Sequence, residues 1–254
     1  MLSKTEIQKV DEIIRTYQQF ILTAHVNPDG DALGSEIAFA QYLRQRNKTV
    51  RILNHSPYPD VYNFLDPNKD VQIYDEQNHI EYVSNADVVF ILDISDWQRL
   101  KELGKFIQSS QLTKVCIDHH PVEQPLTNCD IIYPKASSTG ELIYDLLKGL
   151  GAKFTTRINE AIYTAILTDT GAFRFSNTTA RVHRIVSELL EMGVDPHKIY
   201  KRVYENQTRA RIKLMAHVLS SLQFAYDNRL SWMIITQRML AESGATLKDT
   251  DGLS

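Results

Sequence analysis

Eight acidic and imidazole residues decide what chemistry this chain could do. Three of them, His25, Asp29 and Asp31, fall in one turn, Ala24-His25-Val26-Asn27-Pro28-Asp29-Gly30-Asp31. Two carboxylates held close together repel, and each then favours its protonated form. A divalent cation between them removes the conflict. The plainer alternative makes Asp29 and Asp31 turn residues, with Asp31 capping the helix and His25 ending a strand. The other candidates are Asp93, the run Asp118-His119-His120, and Asp169. Singly, each reads as well as a cap or a surface polar group, because a short motif is only a hypothesis. Together they offer oxygen and nitrogen donors, a mixture that suits Mn²⁺, Fe²⁺, Co²⁺ or Zn²⁺ better than Ca²⁺.

These residues can meet only if the chain's elements bring them together. Phe20-Ile21-Leu22-Thr23 reads as a short strand and Ala32 to Gln45 as a helix, so the first turn joins a strand end to a helix start. Asp87 to Leu92 is a near-continuous apolar run, as expected for a parallel strand covered on both faces, and it ends at Asp93-Ile94-Ser95. Lys114-Val115-Cys116-Ile117 is a second buried strand, ending at Asp118. A helix over Asn159 to Thr168 ends near Asp169. In an open parallel sheet such strand ends share one rim, where ligands bind. Around these lie further expected helices at 5–18, 97–108, 138–150, 180–192, 196–204 and 208–222, and strands at 49–54, 71–74 and 131–133. Near the end, Leu222 to Tyr226 and Leu230 to Thr236 suggest an antiparallel pair, followed by a helix from Gln237 to Ser243 and a polar tail. Strands alternating with helices up to about residue 150 predict an α/β fold with a mainly parallel sheet flanked by helices.

Composition narrows the class of protein. With 254 residues the chain can bury a substantial core. A net charge of −3 gives no general attraction to nucleic acid or anionic membranes, so a phosphate-bearing substrate must be held by local cations. No apolar run approaches the ~18–20 residues that span a bilayer. The N-terminus leads into an amphipathic helix instead of a signal core. Cys116 and Cys129 are too few for a disulfide framework and suit a reducing, cytoplasmic setting.

The four features, in this order and at this spacing, resemble the DHH phosphoesterase superfamily over about residues 10 to 190. The stretches Ala136-Ser137-Ser138-Thr139-Gly140-Glu141-Leu142 and Asp169-Thr170-Gly171-Ala172-Phe173-Arg174-Phe175-Ser176-Asn177-Thr178 are similar to its short-oligoribonuclease branch, which also removes the 3′-phosphate from 3′-phosphoadenosine 5′-phosphate. The resemblance implies two divalent ions, Mn²⁺ by expectation. His25, Asp29 and Asp93 would hold one; Asp31, Asp93, His119 and Asp169 would hold the other, with Asp93 bridging. Asp118 would orient a neighbouring histidine. His120 would contact the substrate phosphate, and the ions would activate a water for in-line attack. Ser138 and Thr139, at a helix start, and Arg174 are further candidates for holding phosphate, as is Arg181. The expected partners are short oligonucleotides or nucleotides, without a membrane, and a homodimer is compatible with the pattern.

The resemblance also sets domain expectations: a DHH catalytic domain over 1–190, a helical linker over 191–221 and the opening of a DHHA1-type substrate domain over 222–254. Such a second domain carries a glycine- and histidine-rich loop that this sequence does not contain, so weak binding of short oligonucleotides is expected. A cyclic-dinucleotide phosphodiesterase is the alternative within the class, and an inorganic pyrophosphatase fits the two family-like stretches less well. A nucleotide-binding module without catalysis is the alternative outside it, but that reading expects a missing ligand and none is missing.

Overall fold

The computed structural model describes residues 2–94, 96–122 and 124–250. Ser95, at the expected end of the fourth strand's loop, and the tail Asp251-Gly252-Leu253-Ser254 lie outside the described residues. The chain divides into two compact units, Met1–Ile199 and Tyr200–Ser254.

The first unit runs α1 (Lys4–Thr16), β1 (Gln19–Thr23), α2 (Gly30–Gln45), β2 (Thr49–Asn54), β3 (Val71–Ile73), α3 (Glu76–Asn85), β4 (Val88–Leu92), α4 (Lys101–Ser109), β5 (Thr113–Asp118), β6 (Asp130–Ile132), α5 (Thr139–Gly149), α6 (Thr156–Asp169) and α7 (Ala180–Glu191). Helix α8 (Pro196–Tyr204) follows. The six strands form one parallel sheet in the order β3-β2-β1-β4-β5-β6. The order reverses between β1 and β4, and in such sheets the crevice at a reversal is where ligands bind. Register aligns the three strands that matter: Thr23 pairs with Ile91, and Ile91 with Cys116. Two residues beyond that row come His25, Asp93 and Asp118. The apolar run of β4 is buried at all five positions, which is why it sits at the sheet's centre.

Helix α2 is buried nearly all round, not along one stripe, and its buried set includes Asp31, Ser35 and Glu36. One side lies towards the sheet and the other packs on α6. Gly34 permits that approach, since a Cβ there would stand 2.4 Å from the Ala161 carbonyl oxygen.

Two elements differ from the sequence expectation. Helix α3 falls in a stretch with no predicted element. Only His79 and Val83 are buried on it, and Asp75 caps it by accepting from Asn78 N at 2.9 Å. The helix expected over 97–108 is broken instead. A 3₁₀ turn, Trp97–Leu100, precedes α4, with Lys101, the first residue of α4, at φ +52°. The Arg99 carbonyl accepts from Val26 N at 2.9 Å and is therefore turned away from the next helical turn.

The second unit contains α9 (Arg209–Ser220), the antiparallel pair β7 (Gln223–Ala225) and β8 (Leu230–Trp232), and α10 (Gln237–Ser243). Tyr226, Asp227 and Asn228 turn the hairpin with positive φ. Phe224, Leu230 and Trp232 on the pair are exposed.

Candidate metal centre

Each strand end aims its carboxylate or imidazole by a local device. After β1 the chain turns through Asn27 at φ +55°, and Asp29 becomes the N-cap of α2, its Oδ1 accepting from Asp31 N at 2.9 Å and Ala32 N at 3.1 Å. After β4, Asp93 takes φ +59°, a region non-glycine residues rarely occupy, and its N–H donates to the Ile117 carbonyl at 3.1 Å. Asp118 ends β5, and its Oδ1 accepts from both the backbone N–H (3.1 Å) and Nδ1 (2.8 Å) of His120. The neighbour that Asp118 orients is thus His120.

The side chains converge in two sets that share Asp93. In the first, His25 Nε2 lies 3.5 Å from Asp93 Oδ2 and 3.9 Å from Asp29 Oδ2. His25 Nδ1 donates to the Val26 carbonyl at 2.8 Å, which leaves Nε2 with its lone pair facing the carboxylates. In the second, His119 Nε2 lies 3.6 Å from Asp93 Oδ1, 3.7 Å from Asp31 Oδ2 and 3.6 Å from Asp169 Oδ2. These distances are too long for hydrogen bonds, and His119 Nε2 is a buried atom without a hydrogen-bond partner. The other ring nitrogen hydrogen-bonds the Ala136 backbone. Ligands held about 2.1 Å from a common ion stand roughly 3–4 Å apart, which is the spacing around His119. The donor set fits a divalent cation in both places.

Electrostatics make the same point. Asp31 and Asp93 are buried, with 1% and 2% of their surface exposed. Burial first, and neighbouring carboxylates second, hold both well above the usual carboxylate range. Burial, then the Asp29 charge, pushes Asp169 up to about 6. Burial lowers His119 and so favours the neutral, ligating imidazole. His120 moves the other way, raised chiefly by its hydrogen bond to Asp118, and its ring is about half exposed.

The start of α5 supports this centre. Thr139 N donates to Asp31 Oδ2 at 2.7 Å, Gly140 N to Asp31 Oδ1 at 2.8 Å, and Thr139 Oγ1 to Asp93 Oδ1 at 3.0 Å. Ser138 caps the helix by accepting from Glu141 N at 3.1 Å. Ser138 and Thr139 are fully buried, so these donors serve protein carboxylates and the helix instead of facing solvent. Arg181 is paired with Glu141 (2.8 Å) and Asp145. Arg174 is exposed, its Nε donating to the Gly171 carbonyl at 2.9 Å.

Three supports escaped the sequence. Asn177 Nδ2 donates to the carbonyls of Ser137 (2.9 Å) and Asp169 (3.0 Å), joining the two family-like stretches. Asn54 accepts from Ala24 N (2.9 Å) and donates to Glu36 (2.9 Å), bracing the residue before His25 against α2. Arg99 lies on the turn beside Val26. A polar residue inside an expected strand or helix, as with Asn54 and Glu36, is the available signal.

Residues 19–168 match the DHH family, N-terminal domain. The chain belongs to the DHH family. This DHH protein is 29% identical over 249 residues to the bifunctional oligoribonuclease and PAP phosphatase NrnA of Bacillus subtilis, covering 95% of this chain and 75% of that one. It is 28% identical over 254 residues to the NrnA of Thermus thermophilus, covering 97% and 71%. Its fold matches the crystal structure of an exopolyphosphatase-related protein from Bacteroides fragilis with a TM-score of 0.93 at 28% identity, covering 99% of this chain and 75% of that chain. The family places the DHH protein among hydrolases of phosphoester bonds. Among the described residues no helix is long and apolar enough to cross a membrane.

Proposed function

We propose that this DHH protein hydrolyses very short oligonucleotides and nucleotides of the 3′-phosphoadenosine 5′-phosphate kind, using two divalent cations, Mn²⁺ first among them. The observation that carries this reading is the ring of three carboxylate oxygens at 3.6–3.7 Å around the unpartnered His119 Nε2. The names of the NrnA relatives support the substrate class. In this reading His25, Asp29 and Asp93 hold one ion, and Asp31, Asp93, His119 and Asp169 hold the other. Bound there, the cations supply Lewis-acid charge and a water of lowered pKa.

The chain's own groups do the rest. Asp93 presents a different oxygen to each imidazole, so one carboxylate keeps the two sites in register. The hydrogen bond to Asp118 shifts His120 towards its charged form, and a charged imidazole can donate to a phosphoryl oxygen as negative charge grows there. Ser138 and Thr139 act through α5, Asp31 and Asp93. Arg174 is left as an exposed cation for a substrate phosphate. The same reading assigns 1–190 to the catalytic domain, 191–221 to a linker and 222–254 to the opening of a substrate domain, in a cytoplasmic protein that can pair with a second copy.

The test is a panel of 5′-phosphorylated dinucleotide, 3′-phosphoadenosine 5′-phosphate, a cyclic dinucleotide and pyrophosphate, each with Mn²⁺. Turnover of the first two should exceed that of the others, and Asp93→Asn should lower it by roughly 1,000-fold or more. Preference for the cyclic dinucleotide would move the assignment to a cyclic-dinucleotide phosphodiesterase. No turnover of any substrate, or activity retained by Asp93→Asn, would overturn it.

A further inference from the structure

The loop that leaves Asp169 exposes an aromatic ring with no role in what precedes. Gly171, Ala172 and Phe173 take φ +54°, +57° and +65°, three left-handed residues in a row. Residues other than glycine rarely adopt this conformation, and it persists only where surrounding contacts impose it. Here the turn separates two phenylalanines. Phe173 packs on α6 and α7, its ring centroid 6.1 Å from that of Tyr163 and 5.7 Å from that of His183. Phe175 folds back over Gly171. A Cβ on Gly171 would lie 2.4–2.6 Å from three atoms of the Phe175 ring, Cζ, Cε1 and Cε2. A contact at the ring's edge would put Cε1 and Cε2 well beyond Cζ, so the glycine lies against the ring's face. Only a residue without a side chain admits this contact.

One face of the Phe175 ring is thus held, and the other is open. At 56% exposure it is the most exposed large apolar side chain among the described residues of the first unit. The loop fixes where that open face stands. Phe175 N donates to the Thr170 carbonyl at 3.0 Å, and the Phe175 carbonyl accepts from Thr178 N at 3.0 Å. Asn177 Nδ2 donates to the Asp169 carbonyl at 3.0 Å, so the loop leaves Asp169 and is tied back to it. The glycine under the ring is two residues from Asp169, a span of at most about 7 Å. The Asp169 carboxylate is one of the three that surround His119. A nucleotide bridges a comparable distance between its phosphate and its base. An immobilised aromatic ring with one free face is what a base stacks on, and every base offers a π-face to it.

We propose that Phe175 is a substrate-binding residue, the platform on which a nucleobase stacks while its phosphate lies at the metal centre. This rests on the phosphoesterase reading above and deepens it. It favours phosphates that carry a base over pyrophosphate, and it does not choose among the bases.

A calorimetric comparison of two ligands tests it. Adenosine 5′-monophosphate and ribose 5-phosphate differ by the base alone. The Mn²⁺-loaded wild-type protein should bind the first about 5- to 100-fold more tightly than the second. Phe175→Ala should bring the two affinities within about twofold of each other. Phe175→Tyr keeps an aromatic face and should keep the preference. Phe175→Leu still covers Gly171 but offers no such face, and should lose it. Mn²⁺ affinity should stay at the wild-type value in all three variants. Binding needs no turnover. A base preference that depends on Phe175, in a protein inactive on every substrate, would therefore uphold the stacking site while the proposed reaction failed. A wild-type protein without the preference, a preference that survives Phe175→Ala or Phe175→Leu, or a fall in Mn²⁺ affinity in Phe175→Ala would overturn the assignment.

Discussion

The two halves of the centre share Asp93 but are held in opposite ways. On one side Asp31 is 1% exposed, and both its oxygens accept backbone N–H groups from the first turn of α5. On the other, the Asp29 side chain is 55% exposed; one oxygen caps α2 and the other faces His25. A helix N-terminus favours a nearby anion, yet Asp31 still sits well above the usual carboxylate range. Burial and the neighbouring carboxylates therefore outweigh two good hydrogen bonds. Asp31 is preorganised and set against the charge of its neighbours, whereas more than half of the Asp29 side chain is open to solvent. The buried half should accordingly take a cation more tightly and lose more when a ligand is changed.

Replacing one carboxylate at a time tests that contrast most severely. Breaking a buried set of charges costs about 3–5 kcal/mol, while an exposed pair contributes about 0.2–1 kcal/mol. Asp31→Asn should thus weaken the tighter Mn²⁺ site by roughly 100-fold or more, with kcat falling in step. Asp29→Asn keeps a capping oxygen and should cost less than about tenfold. Calorimetric titration of Mn²⁺ into each variant gives both numbers. Losses of equal size would mean that burial does not set the order of the two halves.

Much of this centre was legible in the sequence because its donors sit where a parallel sheet must put them. Asp93 and Asp118 end apolar runs that read as buried strands, and β4 and β5 place them side by side. The order of His25, Asp29 and Asp31 around Gly30 marks a strand-to-helix turn, but the cap of α2 is Asp29 and not the Asp31 of the plainer reading, because the helix already begins at Gly30. What holds the donors was harder to read. Thr139 and Gly140 meet Asp31 across 108 and 109 positions of chain, and no local period encodes that contact. Glu36 and Ser35 fall on a helix expected to be amphipathic, which the packing of α6 against α2 buries instead. Arg99 belonged to an expected helix, and only the 3₁₀ break turns its carbonyl to Val26.

A pH series on metal-free protein sharpens the comparison from the other half. The brace behind His25 runs from Ala24 N through Asn54 to Glu36, which is fully buried. Burial pushes Glu36 from 4.5 up to about 8. The folded protein therefore binds this proton more tightly than the unfolded chain does. Its contribution to stability is complete below about pH 4.5 and is lost as pH rises to about 8. Within that window one such group changes stability by up to about 1.4 kcal/mol per pH unit. Glu36→Gln keeps the hydrogen bond from Asn54 and removes the proton. The variant should gain on wild type steadily from pH 5 to 8 in chelator-treated samples, measured by urea unfolding. A difference that stays flat with pH would mean that Glu36 is already ionised in the folded protein.

The smallest expected effect separates the carboxylate the two halves share from the cations it would hold. Thr139 Oγ1 donates to Asp93 Oδ1, the oxygen that also faces His119. Thr139→Val deletes this donor while keeping the backbone N–H that holds Asp31. A hydrogen bond to a charged group contributes about 1.5–3 kcal/mol at most, and cation charge on Asp93 should offset part of its loss. A fall in kcat of about five- to tenfold follows, with Mn²⁺ affinity lowered at the buried site before the exposed one. Thr139→Ser restores the hydroxyl without the methyl group and should recover most of the rate. If Thr139→Ser is instead as impaired as Thr139→Val, the methyl packing is what matters, and Asp93 is aimed by its own left-handed backbone alone.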